Sequence, residues 1–292
     1  MKYFLNKLML FSLIPLFGLI IGLLVIFYTS ENIDYKINSN VKEVFAGDSH
    51  VQCAINDNLL KNSKNISTNS ESFYFTYFKL KKLLEANKQI QKVYLGASYH
   101  SLSNYYDDYI SGNFSASVSP KYFFLMPFEE QLKLIKWNIS SLSEFLKRIF
   151  SICYRYLFQD VRFDYGGYVN NFKNTKAIYS SMDKRLNFQY FSDNKLRGFS
   201  EVNLLYLNKI IALCDEMDIE LVLINTPVHP HLKNRIPTAF LRKYNEIIKS
   251  ENLRVLEINN LTFNESSFIP DGDHLSMEGA VIFTNAISAL KN

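Results

Sequence analysis

The sequence predicts an α/β chain built on a doubly wound, mainly parallel sheet. From about Ser200 onward, helix-like and strand-like segments alternate: a helix to about 217, a strand over 220–226, a helix over 238–250, a strand over 254–258 and a last helix from about Ser276. Such alternation needs parallel strands joined by right-handed crossovers. Two apolar runs nearer the start, 41–46 and 93–97, read as inner strands covered on both faces. The first opens into a Gly-Asp-Ser turn and the second leads into Ser98-Tyr99-His100, at the carboxyl ends of strands where an open parallel sheet places its functional groups.

In chain order, residues 8–28 contain no charged side chain, and a helix of that length spans about 30 Å, enough to cross a bilayer. Lys2 and Lys7 precede the run, and Glu31 and Asp34 follow it. The expectation is a single-pass anchor within residues 1–30, with its amino terminus in the cytoplasm and everything after it outside the cytoplasmic membrane. A cleaved signal peptide is the competing reading, but the run is long for one and no Ala-x-Ala site follows. Polar residues 31–40 read as a tether, and residues 41–292 as one domain. Within it, 51–60 reads as a helix after the first strand, and 65–67 as a weak extended piece. Capping residues at 68–72 then introduce a helix over 73–84. Between about 101 and 198 the alternation lapses into an insertion whose aromatic-rich span, 123–158, looks helical. A lid, a membrane-resting surface and plain packing on the core all fit it, with packing favoured by apolar residues at helical spacing.

Composition narrows the function. With 48% hydrophobic residues the 292-residue chain has ample material for a core. Thirty-two basic against 28 acidic side chains, net +4, leave no nucleic-acid signature. Cys53, Cys153 and Cys214 are far apart and lack zinc-site spacing. His229 and His231 are two apart with no acidic or cysteine partner nearby, a weak metal pattern, so no metal or other cofactor is expected.

The chemistry concentrates at the two ends of the domain. Val44-Phe45-Ala46-Gly47-Asp48-Ser49-His50 places one hydroxyl, that of Ser49, on the turn after a strand. A serine needs a base, and Pro270-Asp271-Gly272-Asp273-His274 supplies an oriented one in front of the last helix. His50 is the rival base, disfavoured because adjacent side chains seldom meet in hydrogen-bond geometry. Asp48 reads as a turn-stabilising carboxylate and Asp273 as a solvated one.

Together these motifs resemble the SGNH, or GDSL, hydrolase superfamily, in which Gly-Asp-Ser near the start of the domain works with Asp-x-x-His near its end. The resemblance implies a flavodoxin-like sheet of SGNH-hydrolase type and a triad of Ser49, His274 and Asp271. The oxyanion hole it implies uses the Ser49 backbone N–H with two further donors. This chain lacks the family's glycine and the asparagine of its Gly-x-Asn-Asp block, so Asn69 and Ser98 stand in those neighbourhoods as substitutes. His100, His229 and His231 fall on loops that would border the substrate. Membrane-anchored, outward-facing relatives of this type resemble proteins that add or remove acyl groups, usually acetyl, on cell-envelope or exported polysaccharide. An O-acyltransferase or carbohydrate esterase is therefore expected, with an acylated envelope polysaccharide as substrate, a membrane acyltransferase as a further partner and no nucleic acid. The other reading is a catalytically inactive SGNH-like protein that binds glycan or a partner.

Overall fold

Apolar runs too short to hide themselves meet in one parallel sheet. The structure is a computed structural model that describes residues 2–159, 162–173, 175–256, 258 and 261–291, without the side chains of residues 2–6, 8–12, 14–16 and 19. Its first half runs α1 (Lys2–Asn32), β1 (Glu43–Ala46), α2 (Ser49–Ala54), β2 (Ser63–Asn65), α3 (Phe73–Ala86), β3 (Lys92–Gly96), the short α4 (Asp107–Ile110) and α5 (Ser115–Val118), α6 (Phe128–Trp137) and α7 (Leu142–Phe158). The second half runs α8 (Tyr179–Tyr190), β4 (Phe191–Ser192), β5 (Lys195–Leu196), α9 (Glu201–Glu216), β6 (Glu220–Ile224), α10 (Pro230–Lys233), α11 (Thr238–Ser250), β7 (Arg254–Val255) and α12 (Met277–Lys291).

The five-stranded sheet has the order β2-β1-β3-β6-β7, every pairing parallel. In β1, Val44 and Ala46 face one side of the sheet and Phe45 the other, and all three are buried. The same alternation divides Val93 and Leu95 from Tyr94, and Leu223 from Val222 and Ile224. One face packs on α3 and α9 through Leu80, Leu83, Leu207 and Ile210, and the other on α2 and α12 through Val51, Phe283 and Ile287. On the second face Phe45 and Tyr94 stack with ring centres 4.5 Å apart. Burying a side chain such as Phe45 contributes about 1.5–3 kcal/mol. Helices on both faces explain why the central strands read as continuous apolar runs rather than as alternating ones.

Gly96 ends β3 beneath α2. A Cβ there would meet Val51 Cγ2 at 2.2 Å, so only glycine lets α2 lie this close to the sheet. That approach sets the height of the turn carrying Ser49.

Several expectations change in detail. The helix expected over 51–60 is shorter and earlier, α2 followed by a single 3₁₀ turn at Asp57–Leu59. The extended piece placed at 65–67 lies two residues earlier, as β2 at Ser63–Asn65. The strand expected over 254–258 is two residues long, and Glu257 lies outside the described residues. The stretch read as a tether packs on the domain. Ile33 is buried, Tyr35 donates its hydroxyl to Phe124 O at 3.0 Å, and Asn87 bonds both Ile37 N and Tyr35 O. Apolar and aromatic side chains among polar neighbours give this segment a surface to lie on.

The backbone of α1 is one continuous helix, and Phe150 of α7 packs against its Gly22. Many side chains of the expected membrane span lie outside the described residues; among the described residues no helix is long and apolar enough to cross a membrane.

Candidate active site

Gly47 ends β1 at φ +149, and Asp48 caps α2 by accepting the His50 backbone N–H at 2.9 Å. Ser49, the first residue of α2, thereby stands at the carboxyl end of the sheet. Residues 271–274 approach from the other side as a tight turn. Gly272 adopts φ +64, and a Cβ there would strike Met182 Sδ at 2.4 Å. Asp271 Oδ1 accepts the backbone N–H groups of Asp273 (3.0 Å) and His274 (3.2 Å), leaving Oδ2 free for the imidazole.

The three side chains form a line. Ser49 Oγ lies 2.8 Å from His274 Nε2, and His274 Nδ1 lies 2.8 Å from Asp271 Oδ2. An ionised Asp271 accepts a hydrogen bond from Nδ1–H, which fixes the tautomer and leaves Nε2 as acceptor for the serine hydroxyl. Burial would raise the Asp271 pKa, but the hydrogen bond and charge of His274 hold it below the usual carboxylate value.

These groups open onto a cleft of about 290 Å³ walled by Gln52, Asn69, Ser70, Tyr105, Tyr106, Tyr109, Val169, Phe172, Arg185 and Ile269. Asn69 sits on a turn closed by Glu71 N to Thr68 O at 3.3 Å, with Ser70 at φ +60. A buried charge holds that turn from behind. Glu71 pairs with Lys79 and accepts the hydroxyls of Thr76 (2.8 Å) and Tyr122 (3.0 Å). Burial pulls the Lys79 ammonium down to about 8 against the opposing charge of Glu71.

The insertion supplies much of the cleft wall, so it does more than pack on the core. Its segment at 164–172 crosses the domain, with Gly167 N on Ser67 O (3.1 Å) and Asn170 Nδ2 on both Cys53 O and Leu275 O (2.9 Å each). Tyr105, Tyr106, Tyr109 and Arg185 reach the site from the same insertion. Nothing in its periodicity distinguishes them from packing residues.

Behind Ser49, His274 and Asp271 lies a second polar layer. Asp273 is buried, not solvated, and its Oδ2 accepts Arg185 Nε (2.6 Å) and Gln189 Nε2 (2.7 Å). Asp48 bonds His50 Nδ1 (3.0 Å), His100 Nε2 (2.9 Å) and the Tyr106 hydroxyl. Burial opposes ionisation of both carboxylates, but His50 and His100 beside Asp48, and His50 and Arg185 beside Asp273, hold them well below the usual range. Asp48, His50 and His100 bring possible ligand atoms within 4.8 Å of one another, as do His50, Asp273 and His274, and most of these atoms already meet protein partners.

Four other expected site residues lie away from the cleft. Ser98, in the place of the family's asparagine, is buried and caps the 3₁₀ turn Tyr99–Leu102, its backbone N–H on Ser101 Oγ at 3.2 Å. His100 is buried on Asp48, not on a substrate loop. His229 and His231 buttress the far side of the 271–274 turn. His229 N donates to Gly272 O (2.8 Å) and its ring bonds Glu265 (3.1 Å), while the His231 ring bonds Asp183 (3.0 Å).

A wider groove of 420 Å³ between residues 117–121 and α7, edged by Lys121, Arg148 and Arg155, contains no triad residue. The parallel strand order, with Gly-Asp-Ser after β1 and Asp-x-x-His before α12, brings Ser49, His274 and Asp271 together at the carboxyl end of the sheet of an α/β domain.

No family model and no curated protein matches the sequence. Among solved structures the chain is similar to a Streptococcus pneumonia protein described as a platelet activating factor, with TM-score 0.41, 12% identity and coverage of 97% of this chain and 99% of that one. It is also similar to a GDSL-like lipase from Bacteroides thetaiotaomicron, with TM-score 0.40, 11% identity and coverage of 90% and 94%. A Bacteroides fragilis protein described as an acylhydrolase gives TM-score 0.38, 11% identity and coverage of 89% and 91%.

Proposed function

We propose that the protein is a serine-dependent enzyme acting on esters. The observation that supports this most is the line from Ser49 Oγ through His274 to Asp271, with two contacts of 2.8 Å at the mouth of one cleft. In this reading Ser49 attacks the ester carbonyl while His274 Nε2 takes its proton. The Ser49 backbone N–H and the Asn69 amide donate to the oxyanion. Collapse of the tetrahedral intermediate expels the alcohol, which receives the proton from His274, and leaves an acyl group on Ser49. Water or a second hydroxyl then removes the acyl group by the same steps in reverse. The tyrosine-rich walls offer faces for a sugar ring, and the cleft's size suits a short acyl group on a saccharide better than a long lipid chain.

We further propose that α1 anchors the domain in the cytoplasmic membrane with the site outside, acting on envelope or exported polysaccharide. The uncharged run 8–28 and the lysines before it support this placement. An anchor concentrates the enzyme beside its acceptor, which favours acyl transfer over release to water. Ser98, turned from the cleft where the family has its asparagine, favours a second reading: an inactive site that retains glycan or partner binding.

A fluorophosphonate probe on the detergent-solubilised full chain separates the two. Labelling that disappears in Ser49→Ala supports the enzyme, and absence of labelling in folded protein favours the binder. Incubation with a chromogenic acetyl ester and envelope oligosaccharides, read by mass spectrometry, distinguishes transfer from hydrolysis. Protease added outside spheroplasts should digest the domain; a protected, folded domain would refute the orientation.

A further inference from the structure

His50 faces a carboxylate at each ring nitrogen. Nδ1 lies 3.0 Å from Asp48 Oδ1, and Nε2 lies 2.8 Å from Asp273 Oδ2. The Nε2 approach falls outside hydrogen-bond geometry and acts as an ion pair. A neutral imidazole has one N–H and would turn a lone pair toward one of these anions, whereas an imidazolium suits both. The ring is also sandwiched, with His100 at 3.9 Å and 30° on one side and His274 at 4.4 Å and 20° on the other. Its side chain is 2% exposed, so water does not screen these charges.

We propose that His50 is a positioning residue: a cation clamped between Asp48 and Asp273 that backs the His274 ring, fixing its plane toward Ser49 and opposing a second positive charge on it before reaction. This rests on the reading of Ser49, His274 and Asp271 as a working triad. Burial works against a charged His50, but Asp273 and Asp48 together raise it to about 10. His100, depressed by burial and by His50, is the neutral outer ring of the stack.

The charged and titratable groups around His50 come from four parts of the fold. Asp48 lies in the turn before α2, and His100, Tyr105 and Tyr106 follow β3. Arg185 is on α8, and Asp271, Asp273 and His274 lie in the turn before α12. With Asp48 and Asp273 negative, and His50 and Arg185 positive, the inner layer is balanced. His50→Gln removes one positive charge and leaves net negative charge behind His274.

The test uses the detergent-solubilised full chain with p-nitrophenyl acetate across pH. In His50→Gln the acid limb of kcat/KM should move up by about one pH unit, because the positive charge behind the Ser49–His274–Asp271 line is lost. His50→Lys, which returns the charge without the ring, should restore the limb toward its original position while kcat stays lowered. A folded His50→Gln chain with an unmoved acid limb overturns the proposal. The wild-type chain gives a reading independent of variant folding: ¹⁵N spectra of its histidine rings at pH 8 should show one imidazole protonated at both nitrogens, and finding none also overturns it. Failure of the triad reading is distinguishable, since it would appear as no fluorophosphonate labelling of wild type whatever the state of His50.

Discussion

Asp271 and Asp273 are two residues apart in one turn and have opposite surroundings. The Asp271 side chain is 25% exposed and gives one oxygen to one imidazole, while that of Asp273 is 4% exposed and meets His50, Arg185 and Gln189. The outer carboxylate belongs to a line of groups that can pass a proton and end at the cleft. The inner one is itself shielded from the cleft and holds a set of fixed charges, of which only Arg185 reaches the cleft wall. A carboxylate that works beside a changing charge must stay responsive, whereas one that holds a scaffold of fixed charges is best buried and saturated.

The largest test of that contrast is Asp271→Asn. Its amide cannot hold the required imidazole tautomer, so kcat for ester cleavage should fall about 10⁴-fold with the thermal midpoint little changed. A loss below tenfold would remove the functional half of the comparison. Asp273→Asn should do the reverse in kind. It leaves His50 and Arg185 without their shared anion, and breaking a buried pair costs about 3–5 kcal/mol, readable as a lowered urea midpoint. A variant as stable as wild type would show that the inner layer is not a scaffold.

Acid provides a third test. Asp48 and Asp273 have folded pKa values below their unfolded ones, so their stabilisation is complete above about pH 4 and is lost as pH falls through the folded values. The urea midpoint should therefore decline below about pH 4, and decline less in Asp273→Asn. His50 has the opposite sign. Its contribution is full below about pH 6.5 and fades as pH rises toward about 10, so the wild-type midpoint should lose more than that of His50→Gln over this interval. The smallest expected effect is at Cys53, at the edge of the cleft. Burial, then Asp271 and Asp48, push its thiol up to about 12, so alkylation by iodoacetamide at pH 8 should be far slower in native than in urea-unfolded chain.

Features determined within a few neighbouring residues were legible in the sequence. Gly47-Asp48-Ser49 marks a strand-ending turn, Asp271-Gly272-Asp273-His274 a tight one, and the expected helix at 238–250 matches α11. Features that depend on distant chain were not. Asp273 looked solvated because its partner Arg185 lies 88 residues earlier, on a helix whose polar positions resemble any solvated face. Ser98 was placed by motif alignment, but the turn after β3 uses it as a cap. The side-chain carboxylate of Asp48 first reads as serving its own turn; its contact with His100 needs β3 paired beside β1, and its contact with Tyr106 needs the insertion folded over it.

Ser49 and His274, the proposed nucleophile and base, are 225 residues apart, and the turn bearing His274 precedes α12, which docks beside α2, where Thr284 Oγ1 accepts Asn56 N (3.0 Å) and donates to Ala54 O (3.1 Å). Ser49 is therefore synthesised long before anything can take its proton. During translation β1 and β3 can form while the serine remains an ordinary alcohol, and it acquires its base only when the final helix closes over the sheet. Under the proposed function, a chain halted before residue 274 or misfolded at its last helix would be chemically mute, so the long loop closure would make activity a report of completed folding.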